Sequence, residues 1–99
     1  MEAWQKDIIN NNITELVENT ECNVLLLSRL EQDQILDRGD VQQINACTTG
    51  FEKARCFYDK IVKKDKSFET LVKALEKTRQ TGASEILKRN NVARPPAYD

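Results

Sequence analysis

Thr49–Lys64 reads TGFEKARCFYDKIVKK, and its spacing decides the fold class. Phe51, Ala54, Phe57, Tyr58, Ile61 and Val62 recur at steps of three, three, one, three and one. That is the stripe of one amphipathic helix, not the alternation of a strand. Thr49 stands three residues before Glu52, the spacing of a capping box. In such a box the Thr oxygen accepts the Glu52 N–H, and the carboxylate reaches back to the N–H of Thr49. The opposite face carries Lys53, Arg55, Lys60, Lys63 and Lys64. The stretch is expected to be the central helix on which its neighbours pack, with its charged side left as a docking surface.

Downstream, Lys63-Lys64-Asp65-Lys66-Ser67 is a short charged connection, and Asp65 or Ser67 can cap the helix that follows. Phe68, Leu71, Val72 and Leu75, with Ala74 beside them, form a second clean amphipathic pattern. Thr81-Gly82 is expected to end it, Gly supplying the left-handed turn. Ser84 then starts a last short helix with Ile86 and Leu87. From Asn90 the periodicity stops, and NVARPPAYD, with two adjacent prolines, reads as a linker. The expected organisation is one helical domain over 1–90 followed by the start of a linker or tail over 91–99.

Upstream, Trp4, Ile8, Ile9, Ile13, Leu16 and Val17 follow helical spacing over residues 3 to 18. Asn10-Asn11-Asn12 interrupts it. Asn side chains compete for backbone hydrogen bonds, so a bend or break is expected there, giving two short pieces. Trp4 is expected to pack into a groove of the same domain. Over residues 20 to 32, with Thr20 or Asn19 as cap, Cys22, Leu25, Leu26 and Leu30 form one side and Val24 and Leu27 widen it. A helix this apolar is expected to be buried over much of its circumference. Asp33 and Gln34 close it. Asp37 is a natural N-cap with Asp40 three residues on, and Val41, Ile44 and Ala46 supply the inner face of a short helix. The count is six helices, the first of them broken, joined by short turns.

The chain has 99 residues, of which 39% are hydrophobic and 31% charged, enough for one small domain with little core to spare. Net charge is only −1, so no global field draws the chain onto nucleic acid or a membrane. The charge is unevenly spread. Glu15 to Asp40 holds seven acids against Arg29 and Arg38, a net −5, whereas Phe51 to Arg79 holds nine bases against five acids, a net +4. One reading is ordinary solvated helix faces. The other is a two-faced module whose acidic side meets the basic side of a partner.

Cys22, Cys47 and Cys56 are odd in number and not in CxxC spacing, and the chain has no histidine. Neither a disulfide framework nor a zinc site is expected, and the thiols read as small buried groups in a reducing compartment. There is no secretory leader pattern and no apolar run near the ~20 residues of a membrane span, so the chain reads as cytoplasmic. No Gly-rich phosphate loop or base-activated nucleophile is present, so no catalytic residue, cofactor or metal is assigned. Arg38-Gly39-Asp40 and Asn12-Ile13-Thr14 match short motifs but fall on predicted helices, where neither would act. Binding of nucleic acid through the basic half stays as an alternative. It is weakened because Phe57 and Tyr58 belong to the apolar face. A purely structural helical domain of a larger enzyme is a third reading.

The order and lengths of these segments, from about Asn11 to Leu87, resemble the caspase recruitment domain of the death-fold superfamily. VLLLSRLEQDQIL looks like the family's second helix, and Asp37 to Ile44 resembles the third. INACTTGFEKARCFYDKIVKKDKSFETLVKAL is similar to its most recognisable block. RQTGASEIL looks like the Thr-Gly turn and sixth helix, and the interruption at Asn10–Asn12 fits a first helix that is typically kinked. Asp65-Lys66 stands where Gly is frequent, and Gly39 is unusual in the third helix. The resemblance implies an all-α, six-helix antiparallel bundle that acts by homotypic binding, like an initiator-caspase prodomain or a caspase-recruiting adaptor or receptor, in apoptotic or inflammatory signalling. It further implies that an acidic surface at Glu31, Asp33, Asp37 and Asp40 meets a basic surface at Lys6, Lys53, Arg55, Lys60 and Lys63 on another such domain. Two different surfaces on one molecule make a heterologous contact that can propagate into a helical assembly.

Overall fold

A computed structural model describes residues 1–64 and 67–91. The described residues form seven helices and no strand: α1 (Ala3–Asn11), α2 (Ile13–Glu18), α3 (Val24–Gln32), α4 (Arg38–Asn45), α5 (Gly50–Ile61), α6 (Phe68–Lys77) and α7 (Thr81–Asn91). The sixfold plan holds, because α1 and α2 are the two pieces of the broken first helix. Asn12 sits at the break with φ −120°, and its side-chain amide donates to the Ile8 carbonyl at 2.8 Å. This is the competition for backbone groups expected of the Asn run.

The core is shared between α5 and α6. Ala54, Phe57, Tyr58 and Ile61 of α5 are fully buried, and Phe68, Leu71, Val72, Ala74 and Leu75 line the inner side of α6. α5 packs on α2 and α4, while α6 packs on α3 and α7, so the expected central role of Thr49–Lys64 is divided between two helices. Trp4 is buried beside Phe68 with ring centroids 6.1 Å apart, and its indole N–H donates to the Glu2 carboxylate at 2.6 Å.

Several local expectations hold with altered chemistry. Thr49 Oγ accepts the Glu52 N–H at 3.1 Å, but the Glu52 carboxylate takes the Thr48 N–H and hydroxyl instead of reaching Thr49. Only half of the capping box forms there. At α4 it is complete: Asp37 accepts the Asp40 N–H at 2.7 Å and Asp40 accepts the Asp37 N–H at 3.2 Å. Ile44 is the buried residue of α4 and Val41 packs at the core margin, but Ala46 is exposed.

Other expectations are corrected. α3 begins at Val24, capped by Asn23, whose Oδ1 accepts the Leu26 N–H at 2.9 Å. Asn19 and Thr20 do not cap it. The Thr20 hydroxyl instead turns inward to the Tyr58 hydroxyl at 2.6 Å. The later start sets the phase. Leu26, Leu27 and Leu30 face the core, and Val24 and Leu25 are 80% and 62% exposed, so α3 is one-sided rather than buried all round. Phe51, counted in the α5 stripe, lies in the first turn and is 65% exposed.

The left-handed position after α6 is Arg79 (φ 65°), not Gly82. Gln80 N–H reaches the Leu75 carbonyl at 2.8 Å and Arg79 N–H the Glu76 carbonyl at 3.1 Å, the two bonds of a Schellman turn. Gln34 (φ 63°) ends α3 in the same way, with Ile35 N–H on Leu30 O at 3.0 Å. Gly82 lies inside α7, which starts at Thr81 rather than Ser84. It is small for a different reason: a β-carbon there would stand 2.8 Å from Asn19 Oδ1. Beside it, the Gln80 amide bonds both the N–H and the carbonyl of Glu21, at 2.6 and 2.7 Å. The turn after α6 is thereby pinned to the α2–α3 connection.

Ser67 does not cap α6 through its side chain. It donates to the Ile61 and Lys64 carbonyls at 3.1 and 3.0 Å, closing the end of α5. Asp65, the other cap candidate, lies outside the described residues. α7 runs through Asn91, and the remainder of the linker assigned to 91–99 is also outside them.

Candidate interaction surfaces

α3, its Schellman turn and α4 place the four predicted acids along one edge, and each has a partner within the chain. Glu31 accepts from Arg38 Nε at 3.1 Å, and Asp33 stands 3.5 Å from Arg29 Nε. Asp37 is engaged as the cap of α4. Asp40 lies between Lys64 Nζ at 2.9 Å and Lys60 Nζ at 3.7 Å. Burial alone would raise the Asp40 pKa. The Lys64 hydrogen bond, the Asp37 N–H and the charge of Lys64 and Lys60 outweigh it and hold the carboxyl below its ordinary value. The same Lys64–Asp40 hydrogen bond, partly opposed by burial, raises the Lys64 pKa. Lys60 also donates to the Gln43 side chain, and the Met1 amine donates to the Lys64 carbonyl.

The predicted basic residues are spread over more of the surface. Arg55 is exposed on α5 and sits 3.6 Å from Asp59. Lys53 is half-buried, and Lys63 just past α5 is exposed. Lys6 is exposed on α1, a helix that packs mainly on α7 and α2. Among the described residues no ion pair holds Lys6, Lys53 or Lys63. The structure therefore brings Asp40 and Lys60, assigned to opposite surfaces, into one internal seam between α4 and α5. The other predicted acids lie on α3, its closing turn and the start of α4, and the other bases on α1, on α5 and just past its end.

Sequence reasoning missed the apolar part of the surface. A hollow of about 420 Å³ between α2 and α5 is lined by Ile13, Val17 and Phe51 and rimmed by Glu18, Glu52 and Arg55. An adjoining hollow of about 400 Å³ shares Val17 and Phe51 and adds Cys22 and Lys53. On α3, exposed Val24, Leu25, Ser28 and Gln32 make a stripe without a charge. The helical phase of Leu26, Leu27 and Leu30 could have shown that Val24 and Leu25 point away from the core. Lys64, the closer partner of Asp40, was visible only as one more base on the α5 face.

Chemically, this surface offers charge and apolar contact. Among the described residues no group of Cys, Asp and Glu is placed to hold a metal ion, and none of the helices is long and apolar enough to cross a membrane. Phe57 and Tyr58 are wholly buried and packed edge to face at 5.1 Å, so they offer no stacking platform on the basic face.

A broken first helix followed by five more, with charged edges and apolar hollows outside a continuous core, defines a helical protein-interaction module. The chain belongs to the caspase recruitment domain family, whose profile matches residues 6–89. Comparison with curated proteins and with solved structures finds no match. Membership makes this a homotypic interaction domain of the death fold, a non-catalytic kind of module that binds other caspase recruitment domains.

Proposed function

We propose that this domain recruits or oligomerises a caspase or an adaptor carrying a domain of the same kind, in apoptotic or inflammatory signalling in the cytoplasm. The acidic edge of Glu31, Asp33 and Asp37 on one molecule meets Lys53, Arg55 and Lys63 on the next, with Lys6 at the margin. Asp40 and Lys60, joined to each other, form the seam between the two edges. The observation that carries this reading is the division of charge. The acids gather on α3 and α4, whereas three cations have no ion pair among the described residues. Such complementarity steers encounter and selects partners more than it supplies affinity, because each exposed pair contributes only about 0–1 kcal/mol. Several pairs must act together, and the contact weakens with salt.

The test is light scattering of the protein against concentration and salt, with Arg55→Glu and Asp33→Arg beside the wild type. Both positions are exposed, and a cation at the C-terminal end of α3 agrees with the helix dipole; each reversal gives up one surface ion pair, Arg55–Asp59 or Arg29–Asp33, so circular dichroism of both variants accompanies the scattering. The reading expects assembly of the wild type at low salt and its loss in each variant. Mixing the two variants should restore a limited complex. Assembly that survives both reversals would remove the charged edges from the interface. A wild type that stays monomeric would exclude self-association and leave only a different caspase recruitment domain as partner.

A further inference from the structure

Val24, Leu25 and Phe51 are the large apolar side chains left exposed among the described residues. They lie on adjoining features. Phe51 lines both of the hollows beside α5, and Val17 lines them with it. Asn23 lines the second hollow, and Val24 and Leu25 follow it directly as the first turn of α3. The phase of α3 turns Leu26, Leu27 and Leu30 into the core and leaves Val24, Leu25, Ser28 and Gln32 as an uncharged outer ridge. A projecting apolar ridge therefore adjoins an apolar recess. Such a face is self-complementary: under a two-fold axis the ridge of each copy enters the recess of the other.

The charges around the recess select the same occupant. Glu18 stands on its α2 side and Glu21 on the connection to α3, while Lys53 and Arg55 stand on the α5 side with Glu52 between them and Phe51. Among the described residues no ion pair engages Glu18, Glu21 or Lys53, and Arg55 is paired only with the exposed Asp59. Glu52 is engaged by Thr48. A rim of one sign would repel a second copy of itself. This rim is acidic on one side and basic on the other, so a two-fold axis that opposes the two sides brings acids to bases twice.

We propose that this face is the interface of a closed homodimer, in which Val24 and Leu25 of each copy seat against Val17 and Phe51 of the other. The contact differs in kind from the charged edges assigned to recruitment. Its centre is apolar, so it persists in salt, and its two-fold symmetry stops it at two copies. The dimer also covers Lys53 and Arg55, so it holds part of the basic edge out of reach, and recruitment through that edge draws on the monomer.

The experiment is sedimentation equilibrium of the full chain across a concentration series in 1 M sodium chloride, where the Debye length is about 3 Å and charged contacts are screened. The expected mass rises to twice the 11.4 kDa of one chain and no further. Leu25→Asp and Phe51→Ala should each weaken the dimer by about tenfold or more, because each removes an apolar side chain from its centre. Both positions are exposed, and an acid in the first turn of α3 agrees with the helix dipole, so both variants should keep the wild-type circular dichroism. Asp33→Arg, which tests the charged edges at low salt, lies outside this face and should dimerise as the wild type does. Failure of one contact is thereby read apart from failure of the other. A wild type that stays monomeric at every concentration, a dimer that survives Leu25→Asp, or growth beyond two copies in high salt would each overturn the proposal.

Discussion

Removing one oxygen from the core tests the packing argument most sharply. Thr20 and Tyr58 hydroxyls meet at 2.6 Å across 38 residues of chain, with Thr20 8% exposed and Tyr58 fully buried. Tyr58→Phe deletes the hydroxyl and leaves the ring in its edge contact with Phe57. The hydrogen bond itself contributes about 0.5–1.5 kcal/mol net, and the orphaned Thr20 hydroxyl adds a desolvation cost of about 1–3 kcal/mol. A loss of about 2 kcal/mol is expected, a fall in Tm of roughly 8–16 °C for a domain of this size. Thr20→Val should cost a similar amount by stranding the Tyr58 hydroxyl. The double variant replaces both partners with apolar groups and should recover to within about 1 kcal/mol of wild type. Urea and thermal unfolding followed by circular dichroism close the double-mutant cycle. There is also a pH signature. Burial, offset in part by the Thr20 hydrogen bond, raises the Tyr58 pKa above its ordinary 10.0. The unfolded chain then ionises first, so this contribution is complete below pH 10 and is lost as pH rises through the folded value. Tyr58→Phe should make the alkaline loss of stability shallower, and the loss that remains comes from Cys22, raised by burial from 9.0 to about 12, from the likewise raised Cys56 thiol, and from Lys64, raised by its hydrogen bond to Asp40. Single variants within about 0.5 kcal/mol of wild type, or a double variant no better than either single, would refute the reasoning.

Asp37→Ala should cost about 1 kcal/mol by opening the α4 capping box, whereas Asp37→Asn, an equally good cap, should be close to neutral in thermal unfolding. Asp40→Asn should flatten the acid limb of stability. The carboxyl's contribution is present above its unfolded pKa of 3.8 and is lost as pH falls through the lower folded value, so wild type and variant should converge in strong acid. Gly82→Ala should not deliver the roughly 1 kcal/mol that Ala gains over Gly in a helix, because its β-carbon meets Asn19. In an Asn19→Ala background the gain should reappear, and urea titration measures both. Gln34→Gly and Arg79→Gly relieve a left-handed residue carrying a β-carbon and should each raise stability by about 0.5–1 kcal/mol in the same titration.

The hydrophobic spacing of Thr49–Lys64 and Phe68–Leu75, the Asn interruption and the Asp37–Asp40 pair determined helix number, the broken first helix, the α4 cap and most of the core. These are legible because helix periodicity and capping are local: a residue three or four positions away is a neighbour whatever the rest of the chain does. Trp4 was also placed correctly, since its one large apolar ring had few other ways to be covered.

What only the tertiary structure decided are the contacts between residues far apart in sequence. Whether Thr20 caps α3 or reaches Tyr58 depends on where α5 lies, and the cap falls to Asn23, directly before Val24. Gly82 suggested a left-handed turn by type, yet Arg79 and Gln34 take those conformations. The Schellman bonds and the packing behind them outweigh a cost of about 1–2 kcal/mol, and Gly82 serves a close approach from Asn19 that no local pattern announces. The charge split could be read as a sum over segments. That Asp40 joins Lys60 and Lys64 instead of facing outward required α4 to be folded against α5. Short-range geometry is written in neighbouring residues, but which charges confront each other follows from how the helices cross.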